Sequence, residues 1–335
     1  MKIEKAILSG VPVLLWGSPG VGKTAYVYDL GRQDKLKVVG LVASLYEPAD
    51  FAGYPVPGKD TIKFLPPSWV RELDEGGILF LDEINTAPPA VQAALLRVVL
   101  ERRVGDIKLP SSVKIIAAAN PPEIAAGGWE LAPPLANRFI HIQFKPTATQ
   151  WISEFPRYWG NPPTVPGLEE TQWQKNRALV AAFIHRRPEL LLQLPGESGQ
   201  PAFPSPRTWD YVSRLLTICP EPEEFILGAV GPGAGSEFIA WQKALDLPTP
   251  QQLLDGRPLP ERPDAAFAAL MSLSMFIKDS LTHEAWNKAI EITAASKPDV
   301  AVIILKNLLK IRDKKWPIPQ AINKLIPSLK AAGLL

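Results

Sequence analysis

The segment Gly17-Ser18-Pro19-Gly20-Val21-Gly22-Lys23-Thr24 has glycines at its first and sixth positions and ends in lysine and threonine. An apolar run, Val11–Trp16, precedes it, and Ala25–Leu30, which can continue as a helix, follows it. A strand, a glycine-rich turn and a helix N-terminus in this order form a cradle for phosphates. Glycine is needed there because Cβ atoms would keep the backbone N–H groups away from a phosphate. The segment therefore predicts a nucleoside triphosphate site.

Two residues of this segment have side chains suited to the charged parts of such a ligand. Lys23 is expected to reach the β- and γ-phosphates, and the Thr24 hydroxyl is expected to bind Mg²⁺. The six residues from Gly17 to Gly22 are expected to surround the phosphates with backbone N–H groups. ATP and Mg²⁺ are the cofactors that the segment predicts.

The composition is that of an ordinary globular chain. Its 335 residues are enough for two or three domains, and 46% of them are hydrophobic. The net charge of +2 gives no electrostatic reason to expect nucleic acid as a partner. A single cysteine, Cys219, fits a reducing cytoplasm, and no apolar run reaches the roughly 18–20 residues that a membrane span requires. We therefore expect a cytoplasmic protein without membrane insertion.

Apolar runs rich in β-forming residues alternate with helical stretches in the first 145 residues. The runs are Val11–Trp16, Leu36–Ala43, Ile78–Leu81, Val113–Ala118 and Phe139–Phe144. The helical stretches are Lys23–Gln33, Pro67–Leu73, Pro88–Glu101 and Leu131–Asn137. This alternation is typical of a parallel sheet that helices cover on both faces. Residues 1–145 are therefore predicted to form an α/β domain with a five-stranded parallel sheet.

The character of the sequence changes after Lys145. Strand signals fade, and tryptophans appear among prolines and short amphipathic stretches. We predict a small helical unit over residues 146–220 and a further helical region, of unassigned role, over residues 221–335.

Polar residues follow two of the predicted strands. The run Ile78–Leu81 leads directly to Asp82 and Glu83, at the end of a parallel strand where open sheets bind their ligands. Asp82 is expected to hold Mg²⁺ through water, and Glu83 to polarise the attacking water. Asn120 ends the next apolar run and suits a hydrogen bond to that water or to the γ-phosphate, although an Asn-Pro turn is the alternative.

Two arginines stand at helix boundaries. Arg138 lies at the end of a predicted helix, just before a strand, and Arg207 opens a helix in the smaller unit. Their order and spacing relative to the other motifs favour a role beyond that of an ordinary surface arginine.

Taken together, these motifs resemble those of the MoxR-type AAA+ ATPases, a group within the clade that also holds magnesium chelatase and dynein-related modules. The resemblance covers roughly residues 1–220. It is carried by Gly17–Thr24, Ile78–Asn85, Gln92–Arg102, Ala117–Pro121 and Leu135–Phe139.

The resemblance implies a role for each motif. Gly17–Thr24 would be Walker A, Asp82 and Glu83 Walker B, and Asn120 sensor 1. Arg138 would be the arginine finger that reaches the γ-phosphate of a neighbouring subunit, and Arg207 would be sensor 2 in a helical lid. The resemblance further implies a sheet order of 5-1-4-3-2 and a hairpin inserted in helix 2, which we placed at Arg102–Pro110.

The same resemblance implies an assembly and a function. We expect a ring, a hexamer by analogy, that hydrolyses ATP to remodel a protein client, with a von Willebrand factor A domain protein as partner. Phe51 and Tyr54, in the glycine-rich segment Asp50–Gly58, either grip that client or pack beneath their loop. Two other functions stay open: a nucleotide-gated assembly switch that recruits partners, and a nucleic-acid-directed motor of the same clade.

Overall fold

The computed structural model describes residues 2–124, 129–155, 165–195, 201–279 and 281–331. The chain divides into two compact units, with the boundary between Lys145 and Pro146. The regions predicted separately as 146–220 and 221–335 fall together in the second unit, and the boundary between them remains a prediction.

The first unit is built on a five-stranded parallel sheet. Its strand order is β2-β5-β8-β1-β9. When these five strands are numbered 1 to 5 in chain order and the sheet is read from the β9 edge, the order is 5-1-4-3-2. The predicted fold class is confirmed. The nine strands of the described chain are β1 Val13–Trp16, β2 Val38–Val42, β3 Tyr54–Pro57, β4 Ile62–Leu65, β5 Gly77–Asp82, β6 Arg103–Val104, β7 Ile107–Lys108, β8 Val113–Ala119 and β9 Ile140–Gln143.

Helices and short 3-10 turns connect these strands. The helices are α1 Lys2–Leu8, α2 Lys23–Gln33, α3 Ala49–Ala52, α4 Pro89–Glu101 and α5 Pro133–Ala136, and the longest 3-10 turn is Ser68–Leu73. Prolines begin α4 and α5, where the missing N–H has no partner within the helix in any case. The face of α4 that the periodicity predicts to be apolar, Val91, Leu95, Val98 and Val99, is buried in the core of this unit.

Two hairpins leave the sheet, and one corrects the sequence interpretation. The hairpin β6–β7, with Gly105-Asp106 at its turn, forms as predicted within Arg102–Pro110. It follows α4, however, which comes after the third strand of the sheet. The helical segment between the second and third strands is interrupted instead by β3–β4, between α3 and the turn Ser68–Leu73. The insert in that helix is therefore Tyr54–Leu65. Its first strand falls within the segment Asp50–Gly58, which the sequence predicts to be a loop, because Pro55 and Pro57 obscure the alternation of the strand.

The two hairpins are bonded to each other through Asp106. Its carboxylate accepts the Phe64 N–H at 2.9 Å, and its own N–H donates to the Phe64 carbonyl at 3.0 Å. Their backbones also meet, since a Cβ atom at Gly53 would lie 2.6 Å from the Gly105 Cα. Such an approach leaves no room for a side chain at Gly53, which also has a φ of +90°.

The two aromatic residues near the first hairpin have different environments. Phe51 is completely buried and packs against Tyr46 and Trp69, so it belongs to the core. Tyr54 is 46% exposed, and its hydroxyl donates to Asp50 at 2.6 Å. Packing beneath the loop is therefore correct for Phe51, whereas Tyr54 stays available at the surface.

The second unit is helical throughout its described residues. Its helices are α6 Ala148–Glu154, α7 Glu170–Arg186, α8 Pro206–Ile218, α9 Glu223–Val230, α10 Pro232–Lys243, α11 Pro250–Leu254, α12 Pro263–Asp279, α13 His283–Ala294, α14 Pro298–Lys310 and α15 Ile326–Ala331. Helix α7 packs against α8 and α12, and α14 packs against α12 and α13. Across the described parts of both units, every helix is too short or too polar to cross a bilayer.

Four buried tryptophans organise this helical unit, and each of the four donates its indole N–H to an acceptor. The acceptors are the Ser213 hydroxyl for Trp173, the Leu190 carbonyl for Trp209, the Asp264 carboxylate for Trp241 and the Leu308 carbonyl for Trp286, at 2.6–2.9 Å. An indole buries a large apolar area, but its N–H costs free energy if it is left unpaired. Each bond therefore fixes how two segments of the unit meet.

Asp264 is the most highly connected of these acceptors. It lies at the start of α12, is 7% exposed, and accepts hydrogen bonds from Arg186, Arg262 and Trp241. Burial alone would raise the pKa of this carboxyl. The hydrogen bonds from Arg262, Trp241 and Arg186 outweigh that effect and hold the pKa of Asp264 well below its ordinary value.

We expect Asp264→Asn to destabilise the second unit by about 3 kcal/mol at pH 7, since charge-assisted hydrogen bonds are lost. Because the folded-state pKa is lowered, the carboxylate stabilises the fold above its ordinary pKa of about 3.9 and loses this effect as the pH falls further. Urea unfolding followed by tryptophan fluorescence from pH 7 to pH 3 measures both effects. An Asp264→Asn variant that loses as much stability in acid as the parent would contradict this account.

Candidate nucleotide site

The turn between β1 and α2 has the backbone conformation that a phosphate cradle requires. Gly22, the residue before α2, adopts a left-handed conformation with φ of 95°. A Cβ atom at Gly17 would lie 2.6 Å from the Phe144 carbonyl oxygen. The first N–H groups of α2 have no acceptor within their own helix. Glycines thus let the chain turn tightly and direct these N–H groups towards one point.

The Lys23 side chain is folded back into this turn. Its ammonium group donates to the Gly17 carbonyl at 2.6 Å, to the Ser18 carbonyl at 3.3 Å and to the Asn120 side-chain oxygen at 2.8 Å. Only 8% of the residue is exposed. The positive charge is therefore held by two carbonyl oxygens of the phosphate turn and by the side-chain oxygen of Asn120, which follows β8.

Thr24 and Asp82 form the second contact across the site. The Thr24 hydroxyl donates to an Asp82 carboxylate oxygen at 2.7 Å, which joins the first turn of α2 to the end of β5. Tyr28, one turn along α2, lies nearby. Burial, and secondly the charge of Asp82, raise the pKa of Tyr28, so its hydroxyl stays neutral at physiological pH.

Glu83 leaves the strand in a strained conformation. The strand β5 ends at Asp82, and Glu83 has φ of 52° and ψ of 39°, which is rare for a residue other than glycine. Its carbonyl accepts the backbone N–H and the hydroxyl of Thr86, and its side chain is exposed. The left-handed backbone at Glu83 therefore determines how the chain leaves the sheet after Asp82.

Asn120 is held by a residue that the sequence interpretation missed. The Asn85 side chain, 2% exposed, donates to the Asn120 carbonyl at 2.9 Å and accepts the Asn120 N–H at 3.3 Å. Gln92, 1% exposed, makes a similar set of bonds to the segment that precedes α5. A buried amide can be suspected from its place on an apolar helix face, as at Gln92, but its distant partners leave no pattern in the sequence.

The two predicted arginines lie in different units. Arg138 lies just before the amino end of β9, which runs parallel to β1. The phosphate turn lies beside the other, carboxyl end of β9. Its Nε is buried without a hydrogen-bond partner within the described chain. Arg207 is exposed in the first turn of α8, after the capping box of Ser205 and Thr208. The structure thus brings together Gly17–Thr24, Asp82, Glu83 and Asn120, whereas the roles of Arg138 and Arg207 remain predictions.

The donor set fits a triphosphate with Mg²⁺. A hydroxyl and a carboxylate oxygen lie 2.7 Å apart at the mouth of the phosphate turn, and both are oxygen ligands of the kind that Mg²⁺ prefers. Within the described residues, there is no cluster of three or more His, Cys, Asp or Glu side chains. Mg²⁺ at this point would therefore depend on phosphate and water oxygens for its remaining ligands, as is usual for this ion.

Comparison with known proteins agrees with this geometry. Residues 12–139 match the family model described as the AAA domain (dynein-related subfamily). This range contains both contacts described above and the sheet strands β1, β2, β5 and β8, and it ends just before β9. Residues 12–139 are therefore similar to an AAA domain, and membership of the MoxR type remains a prediction.

Individual relatives share only part of their length with this chain. Midasin from Giardia intestinalis is 26% identical over 149 residues, which are 42% of this chain and 3% of midasin. The denitrification regulatory protein NirQ from Pseudomonas aeruginosa is 29% identical over 160 residues, 44% of this chain and 59% of NirQ. The crystal structure of NtrX from Brucella abortus in complex with ADP aligns with a TM-score of 0.41 and 16% identity, over 99% of this chain and 67% of that chain.

The contact at Gly17 generates a test of the cradle. Gly17→Ala places a methyl group 2.6 Å from the Phe144 carbonyl oxygen, so the backbone must shift, and we expect a lower thermal midpoint. Gly233→Ala is the matched control, because a Cβ there meets nothing within 4 Å in helix α10. The control should stabilise by about 0.5–1 kcal/mol. Equal thermal midpoints for the parent and Gly17→Ala would contradict the close packing of this turn.

Proposed function

We propose that the protein is an AAA+ ATPase that hydrolyses ATP and uses the energy to remodel a protein client. One observation carries the proposal. Lys23 bonds to Asn120 and Thr24 bonds to Asp82, so the phosphate turn, the acidic strand end and the polar strand end share one corner of the sheet. This corner lies at the carboxyl ends of parallel strands, where open α/β sheets bind their ligands.

Each residue of the corner has a task that follows from its chemistry. Bound ATP and Mg²⁺ supply the reactive γ-phosphoryl group and neutralise its charge. Lys23 and the N–H groups of α2 bind the phosphates, while Thr24 and Asp82 hold the metal. Glu83, exposed beside Asp82, accepts a proton from the attacking water at its carboxylate. Asn120 orients that water, because Asn85 fixes its backbone on both sides.

Arg138 supports an assembly in which neighbouring subunits complete each other's sites. Arg138 precedes the amino end of β9, and the phosphate turn of its own subunit lies beside the opposite end of that strand. Its Nε is buried and has no acceptor in the described chain. A hexameric ring would place this guanidinium against the γ-phosphate of the next subunit. The role of Arg207 as sensor 2 rests on the resemblance of its motif alone.

Two surface features favour a protein client over nucleic acid. The hairpin β3–β4 exposes Tyr54, Ile62, Phe64 and Leu65, which suit contact with an unfolded or extended polypeptide. The short basic pair Arg186-Arg187 is engaged in ion pairs with carboxylates. We propose that the protein is of the MoxR type and acts with a von Willebrand factor A domain protein as its partner, as the resemblance of its motifs implies.

Glu83→Gln and Lys23→Ala should separate turnover from binding. Glu83→Gln removes the proton acceptor and should lower ATP turnover by about 10²–10⁴-fold while ATP affinity is retained. Lys23→Ala removes the fixed counter-charge and should lose ATP affinity itself. Steady-state turnover and titration with a fluorescent ATP analogue measure the two effects. Client processing that survives in Glu83→Gln would favour the assembly switch over the motor.

Two inactive variants should restore each other if sites are shared. Arg138→Ala should lose about 10³-fold or more in turnover and keep ATP affinity, by analogy with other arginines that act in trans. Mixing it with Lys23→Ala before assembly should recover activity, since the second variant supplies Arg138 to an intact site. Mixing Glu83→Gln with Lys23→Ala is the control and should recover nothing, because both lack the same site. Recovery in neither mixture, with both variants assembled, would show that Arg138 does not act between subunits.

A further inference from the structure

The turn after β5 is bonded to Asn120 through the side chain of Asn85. Nδ2 donates to the Asn120 carbonyl and Oδ1 accepts the Asn120 N–H, so one amide pairs with both polar groups of one peptide residue. An amide can do this because it carries a donor and an acceptor side by side, whereas a carboxylate or a hydroxyl cannot match both with the same geometry. The position of Asn120 is thus set by the turn that follows the two acids.

The same turn is bonded on its other side to the segment before α5. The Asn85 carbonyl accepts the Trp129 N–H at 2.8 Å. Gln92, in the first turn of α4, accepts the Ala132 N–H at 2.8 Å and donates to the Ala87 carbonyl at 3.0 Å and, more weakly, to the Glu130 carbonyl at 3.4 Å. Ala132 is the N-cap residue, immediately before α5. At the other end of this short helix, the Arg138 N–H donates to the Leu135 carbonyl.

Asn120 and Ala132 are the two ends of one connection between β8 and α5. Both ends are therefore bonded to one continuous segment, at one end by Asn85 in the turn and at the other by Gln92 at the start of α4, which is itself bonded to the Ala87 carbonyl at the end of the turn. The turn itself begins at Glu83, whose left-handed backbone determines how it leaves the strand. A movement of this turn must shift both ends of the connection or break buried hydrogen bonds, which is costly.

We infer that Asn85 and Gln92 are positioning residues that couple Glu83 and Asn120, at the proposed γ-phosphate site, to the short helix α5 that immediately precedes Arg138. The inference rests on the proposed function and names how its site is linked to the site of the neighbouring subunit. A change at the Glu83 turn on nucleotide binding or turnover would be transmitted through the two amides to Arg138. The coupling needs no contact between the two units of the chain.

A purely local role of the Asn85 and Gln92 side chains leads to a different expectation. If each amide only satisfied the polar groups beside it, its loss would disturb its own end of the connection and leave the other end unchanged. Among the residues that the structure describes, the Asn85 side chain bonds only to Asn120, and the Gln92 side chain bonds only to residues 87, 130 and 132. The two ends can therefore be perturbed one at a time.

Amide hydrogen exchange on the nucleotide-free full chain tests the coupling directly. We expect Asn85→Ala to speed exchange across residues 129–138 as well as at Asn120, and Gln92→Ala to speed exchange at Asn120 as well as at residues 129–138. Asn307→Ala and Gln174→Ala, which remove equally buried amides in the second unit, should change neither region. Where an alanine variant does not fold, Asn85→Asp and Gln92→Glu keep the size and the acceptor oxygen. Effects confined to each residue's own end would overturn the inference.

Turnover and affinity provide the second readout. A displaced catalytic group costs up to about 10²-fold in rate, so we expect losses of that order in turnover for Asn85→Ala and Gln92→Ala with ATP affinity retained. The control variants should keep the parental turnover. Turnover equal to that of the controls would also overturn the inference. If the parent protein itself bound ATP without hydrolysing it, the proposed function would fail, whereas the exchange experiment would still decide the coupling.

Discussion

A buried ammonium group is stable only where oxygen atoms replace its lost water, and Lys23 obtains these atoms from three places. Two are carbonyls of its own phosphate turn, at Gly17 and Ser18, and the third is the side chain of Asn120 on a neighbouring strand. Desolvating the charge without such acceptors would cost several kcal/mol. The folded turn and the end of β8 therefore stabilise each other. The arrangement of Thr24, Asp82 and Asn85 around them follows from that pairing.

The parallel sheet and the phosphate turn could be predicted because both depend on local sequence. Strands buried on two faces need near-continuous apolar runs, and the run before Asp82 is of this kind. The phosphate turn needs glycine where the backbone is left-handed or crowded, as at Gly17 and Gly22. Asp82 and Asn120 follow from the same logic, since the residue after a buried parallel strand lies at the ligand-binding edge.

What could not be predicted depends on contacts between distant residues or on surfaces that face water. The hairpin β3–β4 lies on the surface, so burial imposes no alternation on it, and its prolines are typical of a loop as well as of an edge strand. The amides of Asn85 and Gln92 reach partners 35–40 residues away in the chain. The conformation of Glu83 likewise arises from the turn around it, because no propensity favours a left-handed glutamate.

The contact between Gly53 and Gly105 has a consequence for how this domain can diverge. The two residues lie 52 positions apart, Gly53 just before β3 and Gly105 at the turn of β6–β7. A Cβ at Gly53 would meet the Gly105 backbone and a Cβ at Gly105 would meet the Phe64 backbone in β4, so neither can gain a side chain while both hairpins stay in place. A larger residue at either position requires the opposite hairpin to move away, and the hydrogen bonds between Asp106 and Phe64 oppose that movement. Across an alignment of proteins that retain both hairpins, these positions should therefore covary, and a lineage that loses one glycine should have remodelled or lost the opposite hairpin.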